Sequence, residues 1–162
     1  IAAVNGPAAG AGLVLAVASD IRIASDKARF HDAFTKIGLS GCELGLSWLL
    51  PRLIGAAAST DLILTGRQID AQEAYRLGLV VDVVDEEALM AAALAKADQI
   101  VANTPFGVWM SKDVAWANLE ISSMQAAIEL ETRTQTLGQC TEDMKEQLAA
   151  FFQKRPPSFK GD

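Results

Sequence analysis

A run of small residues near the start of the chain is the feature best suited to chemistry. Residues 1–5 favour a β-strand, Gly6–Gly12 contains only Gly, Pro and Ala, and Leu13–Ala18 continues as an apolar helix. Because no side chain here exceeds a methyl group, another molecule can approach the backbone closely. The first N–H groups of a helix lack partners inside it and lie at the positive end of its dipole. The sequence therefore predicts a socket that holds an anion or stabilises an oxyanion.

Two nucleotide-binding interpretations of this turn fail on the residues that it lacks. A dinucleotide fingerprint requires a third Gly three residues after the second, where Leu15 stands. A P-loop requires Gly-Lys-Ser/Thr, and the first Lys of the chain is Lys27. One alternative stays open, in which Gly10 and Gly12 serve only the close packing of strand and helix.

The elements that must position this turn alternate between strands and helices up to about residue 85. Short β-forming runs predict strands over 1–5, 21–24, 28–32 and 79–84. The intervening segments predict helices over 10–18, 45–53, 56–64 and 71–77. Asp70 and Glu73 form a capping pair at the start of the last helix, and Gly78 suits the left-handed position that ends it.

Beyond residue 85 the pattern is almost wholly helical. The predicted helices cover 86–102, 105–117, 123–138 and 141–154. Thr104 before Pro105 marks one helix start, and the two acids after Thr141 mark another. The helix over 123–138 carries apolar residues on two faces, which predicts contacts on both sides.

Composition favours a soluble globular protein. The 162 residues are 51% hydrophobic, enough for a sizeable core, and no apolar run reaches the roughly 18–20 residues of a membrane span. A net charge of −6 argues against general nucleic-acid binding. Cys42 and Cys140 match no metal or redox spacing, and the single histidine, His31, supports neither a zinc site nor a Ser-His triad. We therefore expect no nucleic-acid or membrane partner, no metal, reduced thiols and a cytoplasmic location.

Several segments, all in one order, resemble the enoyl-CoA hydratase/isomerase (crotonase) family. Ile1–Gly6 followed by Ala8–Gly12 is similar to the family's oxyanion-hole segment, and Asp20–Ser25 with Ala28–Phe30 to the two strands after it. The other matching segments are Ile37–Leu39, Leu50–Gly55, Leu64–Arg67, Ala71–Glu73, Gly78–Val80 and Ala149–Pro157. The resemblance implies an α/β fold: a partial crotonase-like ββα spiral over 1–85, carrying the oxyanion turn, then a C-terminal helical oligomerisation layer over 86–162.

The resemblance also implies that the crotonase unit begins before this chain. The family's earlier ββα turns carry the first oxyanion N–H, whereas residue 1 here is Ile within a predicted strand. We therefore expect the chain to be the C-terminal part of a longer polypeptide. Since the strand over 1–5 is apolar on both faces, we also expect further polypeptide to cover it.

Stabilisation of an enolate formed from a CoA thioester is the chemistry that the resemblance implies. By its place in the motif, the N–H of Ala11 is the second donor to the thioester oxygen. A standard hydratase uses two glutamates, and the matching positions here are Val14 and Phe34, neither of which can carry a proton. The substrate-binding residues expected beside the donor are Ala9, Gly10, Val14, Ala33, Phe34, Ile37 and Cys42.

Glu43 is the candidate acid in place of those glutamates. It lies in a Gly-rich loop with Leu39, Leu44 and Leu46, an apolar setting that suits a proton shuttle. Some crotonase isomerases carry a catalytic carboxylate at about this position, although the loop here is one residue longer. The alternative is an acid that only stabilises the N-terminus of the next helix.

Three other side chains near these segments are reactive. Cys42 as a nucleophile has no His or Lys partner nearby in sequence. His31 and Asp32 are expected at a strand end beside the pocket, where His31 is an alternative base.

These residues predict an acyl-CoA or enoyl-CoA lyase or isomerase. A CoA-thioester hydrolase or decarboxylase on the same fold, or a non-catalytic CoA-binding homologue, is the alternative, because Val14 and Phe34 replace the usual acids. Coenzyme A would arrive as part of the substrate, with no permanently bound cofactor. Since the family's C-terminal helices assemble trimers or hexamers, the resemblance implies a homotrimer or a dimer of trimers.

Overall fold

Two short strands and a helix begin the chain, of which a computed structural model describes residues 1–161. β1 (Ala2–Val4), β2 (Pro7–Ala9) and α1 (Ala11–Ala18) follow one another closely. The predictions of β1 and α1 are confirmed. The assignment of residues 7–9 to a turn is wrong, because this segment pairs with a strand more than twenty residues further along the chain.

A parallel sheet contains β1 and two later strands, β3 (Arg22–Ser25) and β6 (Asp82–Val84), in the order β1-β3-β6. Ala3 pairs with Ile23, which pairs in turn with Asp82. β6 is shorter than the predicted strand over 79–84. Within residues 1–161, β1 has a strand neighbour on one edge, and its residues are half-buried. Its coverage by further polypeptide stays a prediction.

A second sheet joins β2 to β4 (Arg29–His31) and β5 (Ile69–Asp70). β4 lies in the middle, parallel to β2 and antiparallel to β5. β5 was not predicted, because a strand of two residues carries no readable periodicity. This sheet positions the turn, since β2 leads into α1 while β4 runs beside it.

The helices confirm the predicted order. Thr35–Ile37 and Glu86–Ala88 form short 3-10 helices. The α-helices that follow α1 are α2 (Leu46–Ile54), α3 (Ala56–Thr65), α4 (Ala71–Arg76), α5 (Leu89–Val101), α6 (Pro105–Asn118), α7 (Met124–Gly138) and α8 (Glu142–Gln153). Asp70 caps α4 as predicted, accepting the Glu73 N–H at 2.7 Å. No helix in residues 1–161 has both the length and the apolar character that crossing a membrane requires.

The chain divides into two compact units, Ile1–Ala97 and the part from Asp98 onward. The first has a core of fully buried side chains, among them Leu13, Phe30 and Leu50. In the second, α6 packs against α7. The sequence predicts a domain boundary between residues 85 and 86, and this boundary stays a prediction. In the structure the segment after residue 85 is helical.

Candidate active site

The turn between β2 and α1 is built around Gly10. Its backbone has φ +51° and ψ −116°, a conformation that residues with a side chain rarely adopt. The Gly10 N–H donates to the His31 carbonyl at 3.2 Å, and the Gly10 carbonyl accepts the Val14 N–H at 3.1 Å. Gly10 therefore continues the pairing with β4 on one side and starts the helix on the other.

Ala11, the first residue of α1, is exposed. Its N–H has no partner inside the helix, and none of the turn and loop hydrogen bonds in residues 1–161 uses it. The first turn of α1 holds no acidic residue that would oppose a bound anion. The arrangement can therefore donate a hydrogen bond to a negative oxygen at the positive end of a helix.

Phe34 lies directly over the turn. A Cβ added at Gly10 would lie 3.5 Å from the tip of the Phe34 ring. Phe34 is half-buried and packs on the core cluster that contains Val14, itself 6% exposed. The structure thus places Phe34 against Gly10 and Val14 in the core on the first turn of α1, so neither position that corresponds to a family glutamate carries an acid.

The other predicted substrate-binding residues differ in their surroundings. Ala9 ends β2 opposite His31 and is exposed. Ala33 is half-buried, between Asp32 and the turn that Phe34 begins. Ile37 is 71% exposed, and Cys42 is an exposed free thiol. Their contacts with a substrate stay predictions.

Glu43 lies three residues before α2 and is exposed. Its carbonyl accepts the Leu46 N–H at 2.9 Å, which fixes the loop to the helix start. Leu46 is buried, but Leu39 and Leu44 are 58% and 68% exposed. The expected apolar enclosure of Glu43 is therefore wrong, because two of its three leucines face outward. Its catalytic role stays a prediction.

Asp32 is the residue whose surroundings the sequence reasoning missed. It is fully buried, and its Oδ1 accepts the Phe34 N–H at 3.1 Å. Its Oδ2 is buried with no hydrogen-bond partner among the described residues, as are His31 Nδ1 and Thr35 Oγ1. A signal was present in the predicted strand over 28–32, whose period-two alternation places position 32 on the same face as position 30; in the structure β4 ends one residue earlier, at His31.

Arg22 holds the far end of α1. This buried side chain donates from Nε to the Leu79 carbonyl at 2.6 Å and from Nη1 to carbonyls at the C-terminus of α1. Burial lowers the pKa of Arg22, and the charge of Asp20 opposes that shift. A guanidinium is always charged in proteins, so the Arg22 side chain complements the negative end of the helix dipole.

The chain is similar to enzymes that act on CoA thioesters. The sequence model described as enoyl-CoA hydratase/isomerase matches residues 1–162. A protein of Mycobacterium tuberculosis named "Probable enoyl-CoA hydratase" is 42% identical, covering 100% of this chain and 57% of that protein. The 1,2-epoxyphenylacetyl-CoA isomerase of Escherichia coli is 39% identical over 99% of this chain and 61% of its own length.

Solved structures agree with these sequence matches. The crystal structure of an enoyl-CoA hydratase from Bacillus anthracis superposes with a TM-score of 0.94 at 35% identity. The match covers 99% of this chain and 61% of that one. The chain therefore spans about three fifths of the length of these relatives, and the α/β crotonase-type fold is confirmed for the part that it spans.

Proposed function

Because the chain belongs to the enoyl-CoA hydratase/isomerase family, we propose that it forms part of an acyl-CoA or enoyl-CoA lyase or isomerase. The observation that carries this proposal is the free N–H of Ala11 at the positive end of α1. A thioester oxygen hydrogen-bonded there gains negative charge as an enolate forms, and a fixed donor stabilises that charge without reorganisation. Coenzyme A enters as part of the substrate.

The proposed proton carrier is Glu43, since Val14 and Phe34 cannot exchange protons. Its exposed position leaves the carboxylate accessible to a ligand, and a positioned acid or base contributes typically 10²–10⁴-fold in rate. The names of the relatives differ in the reaction: one is named a probable enoyl-CoA hydratase and another an isomerase. Hydration, dehydration and double-bond migration all proceed through the same stabilised thioester enolate.

Substitution of Ala11 tests the proposed donor. Ala11→Pro removes the N–H, and proline is tolerated in the first turn of a helix, so α1 should still form. We expect kcat to fall about 10²–10³-fold on crotonyl-CoA or a 3-enoyl-CoA, measured in the full-length protein. Ala11→Gly keeps the N–H and is the matched control, with near wild-type kcat expected.

The outcomes separate the alternatives. Circular dichroism verifies that both variants fold, and equal activity in Ala11→Pro and Ala11→Gly would contradict the role of this donor. Release of free CoA thiol without hydration or isomerisation would instead identify a thioester hydrolase. CoA-ester binding without turnover of either substrate would identify a non-catalytic binding protein.

We propose further that the second unit mediates assembly into a trimer or a dimer of trimers. Large apolar side chains on its helices are exposed: Trp109 is 60% exposed, Met124 79% and Phe152 79%. Exposed apolar area of this kind is typical of surfaces that another chain covers. Sedimentation equilibrium of the full-length protein tests this, and a monomer at micromolar concentration would refute it.

A further inference from the structure

The exposed loop that carries Glu43 contains a single buried residue, Gly41. Every residue from 36 to 45 is exposed except Gly41. A Cβ added to Gly41 would lie 2.1 Å from Asp32 Oδ2 and 2.9 Å from Cγ2 of Ile63 on α3. The Gly41 backbone therefore fills a slot between a carboxylate and a helix, and a larger residue would displace one of the two walls.

The carboxylate of Asp32, which forms one side of this slot, is itself fully buried. Its Oδ2 has no hydrogen-bond partner in the described part of the chain and lies against Gly41. Buried carboxylate oxygens without partners are rare in folded proteins, so the contact that this oxygen makes with Gly41 calls for an explanation. Asp32 also directly follows His31, whose carbonyl accepts the Gly10 N–H at 3.2 Å. The carboxylate therefore stands between the turn that holds the donor and the loop that holds the acid.

We propose that Asp32 is a positioning residue that fixes Gly41, and through it Glu43, relative to the Ala11 N–H. This inference rests on the proposed function, in which Glu43 moves the proton. Glu43 is two residues beyond the anchored Gly41 and three before the start of α2. The backbone that carries Glu43 is therefore held at both ends of this short segment, by Gly41 on one side and by the Leu46 N–H on the other. Because Asp32 acts by shape and contact, an amide of the same shape fills the same role.

Three substitutions in the full-length protein test this anchor. Asp32→Ala removes one wall of the slot, and Gly41→Ala forces the loop out of it. Both variants should increase hydrogen exchange of the amides in residues 38–45 and lower kcat about 10- to 100-fold with KM changed less than about twofold. Asp32→Asn preserves the shape and should keep both values close to wild type. If Asp32→Ala fails to fold, Ile63→Ala opens the same slot from its other side.

The Glu43→Gln background separates this inference from the function on which it rests. If Asp32 acts through Glu43, Asp32→Ala should cause no further loss of kcat when Glu43 is already Gln. A full additional loss there, unchanged loop exchange in Asp32→Ala, or Asp32→Asn as slow as Asp32→Ala would overturn the proposal. If Glu43→Gln alone keeps full activity, the proposed proton carrier is wrong, and loop exchange alone then decides whether Asp32 anchors Gly41.

Discussion

Replacement of Arg22 by Met removes the side chain that closes the C-terminal end of α1. The guanidinium donates to the Leu79 carbonyl at 2.6 Å, to Val17 at 3.4 Å and more closely to Ser19. Without it, the carbonyls of Leu79, Val17 and Ser19 lose the donor that the guanidinium provides. We expect a lower free energy of unfolding, because buried acceptors are costly to leave unpaired.

The size of the effect follows from these contacts. A hydrogen bond to a charged group contributes roughly 1.5–3 kcal/mol net, and the two targets, Leu79 and the end of α1, together give about 3–6 kcal/mol. Met avoids the desolvation of a buried guanidinium, which offsets part of this and leaves about 2–4 kcal/mol. Since domains are typically stable by about 5–15 kcal/mol, the variant should still fold.

Urea unfolding followed by circular dichroism measures this difference. Arg76→Met is the matched control, because Arg76 is exposed on α4 and its replacement should change the unfolding free energy by less than about 0.5 kcal/mol. If Arg22→Met unfolds at the same urea concentration as Arg76→Met, Arg22 does not stabilise α1 and the reasoning fails.

Three further predictions concern the loop acid, the C-terminal tail and a close-packed glycine. Glu43→Gln should lower kcat about 10²–10⁴-fold with little change in KM, because it keeps the shape but removes the exchangeable proton; steady-state kinetics would contradict this by showing unchanged kcat. The hydrogen bond from Arg155, followed by one from a tail amide, lowers the pKa of Glu146 to about 2 from 4.5. The stabilisation that this contact provides is therefore complete above pH 4.5 and lost as the pH falls through 2; an NMR titration of Glu146 with a midpoint near 4.5 would exclude the contact. Gly66→Ala should lower the unfolding free energy by about 2–4 kcal/mol, because φ is +55° and the new Cβ would lie 3.0 Å from a backbone carbonyl. Gly38→Ala, with φ +82° and open space around it, should lose only about 1–2 kcal/mol in urea unfolding, and equal losses would show that the close approach is harmless.

The sequence by itself determined the local elements around the turn. Small residues before an apolar helix predicted the N-terminus of α1 and unpaired N–H groups there, because helix starts depend on residues close together in the chain. The assignment of the donor to Ala11 came from the family resemblance. The Asp70 cap and the left-handed Gly78 followed from the same local rules, and both are present. The order of matching motifs also predicted the family, which the comparisons confirm.

Tertiary structure decided what the distant segments do to one another. β2 is a strand because Pro7–Ala9 pairs with β4, and β5 exists because Ile69–Asp70 pairs with the other edge of the same strand. Neither segment shows a strand propensity in its own sequence, because strand pairing joins residues that are far apart in the chain. The same pairing sets Asp32 in the interior, where the packing of α3 and the loop completes the slot around Gly41. The sequence determined which groups could do chemistry. The fold determined that Glu43 is exposed, that Asp32 is buried and that Phe34 covers the turn. The burial of a side chain depends on every segment that packs around it, and those segments come from distant parts of the chain.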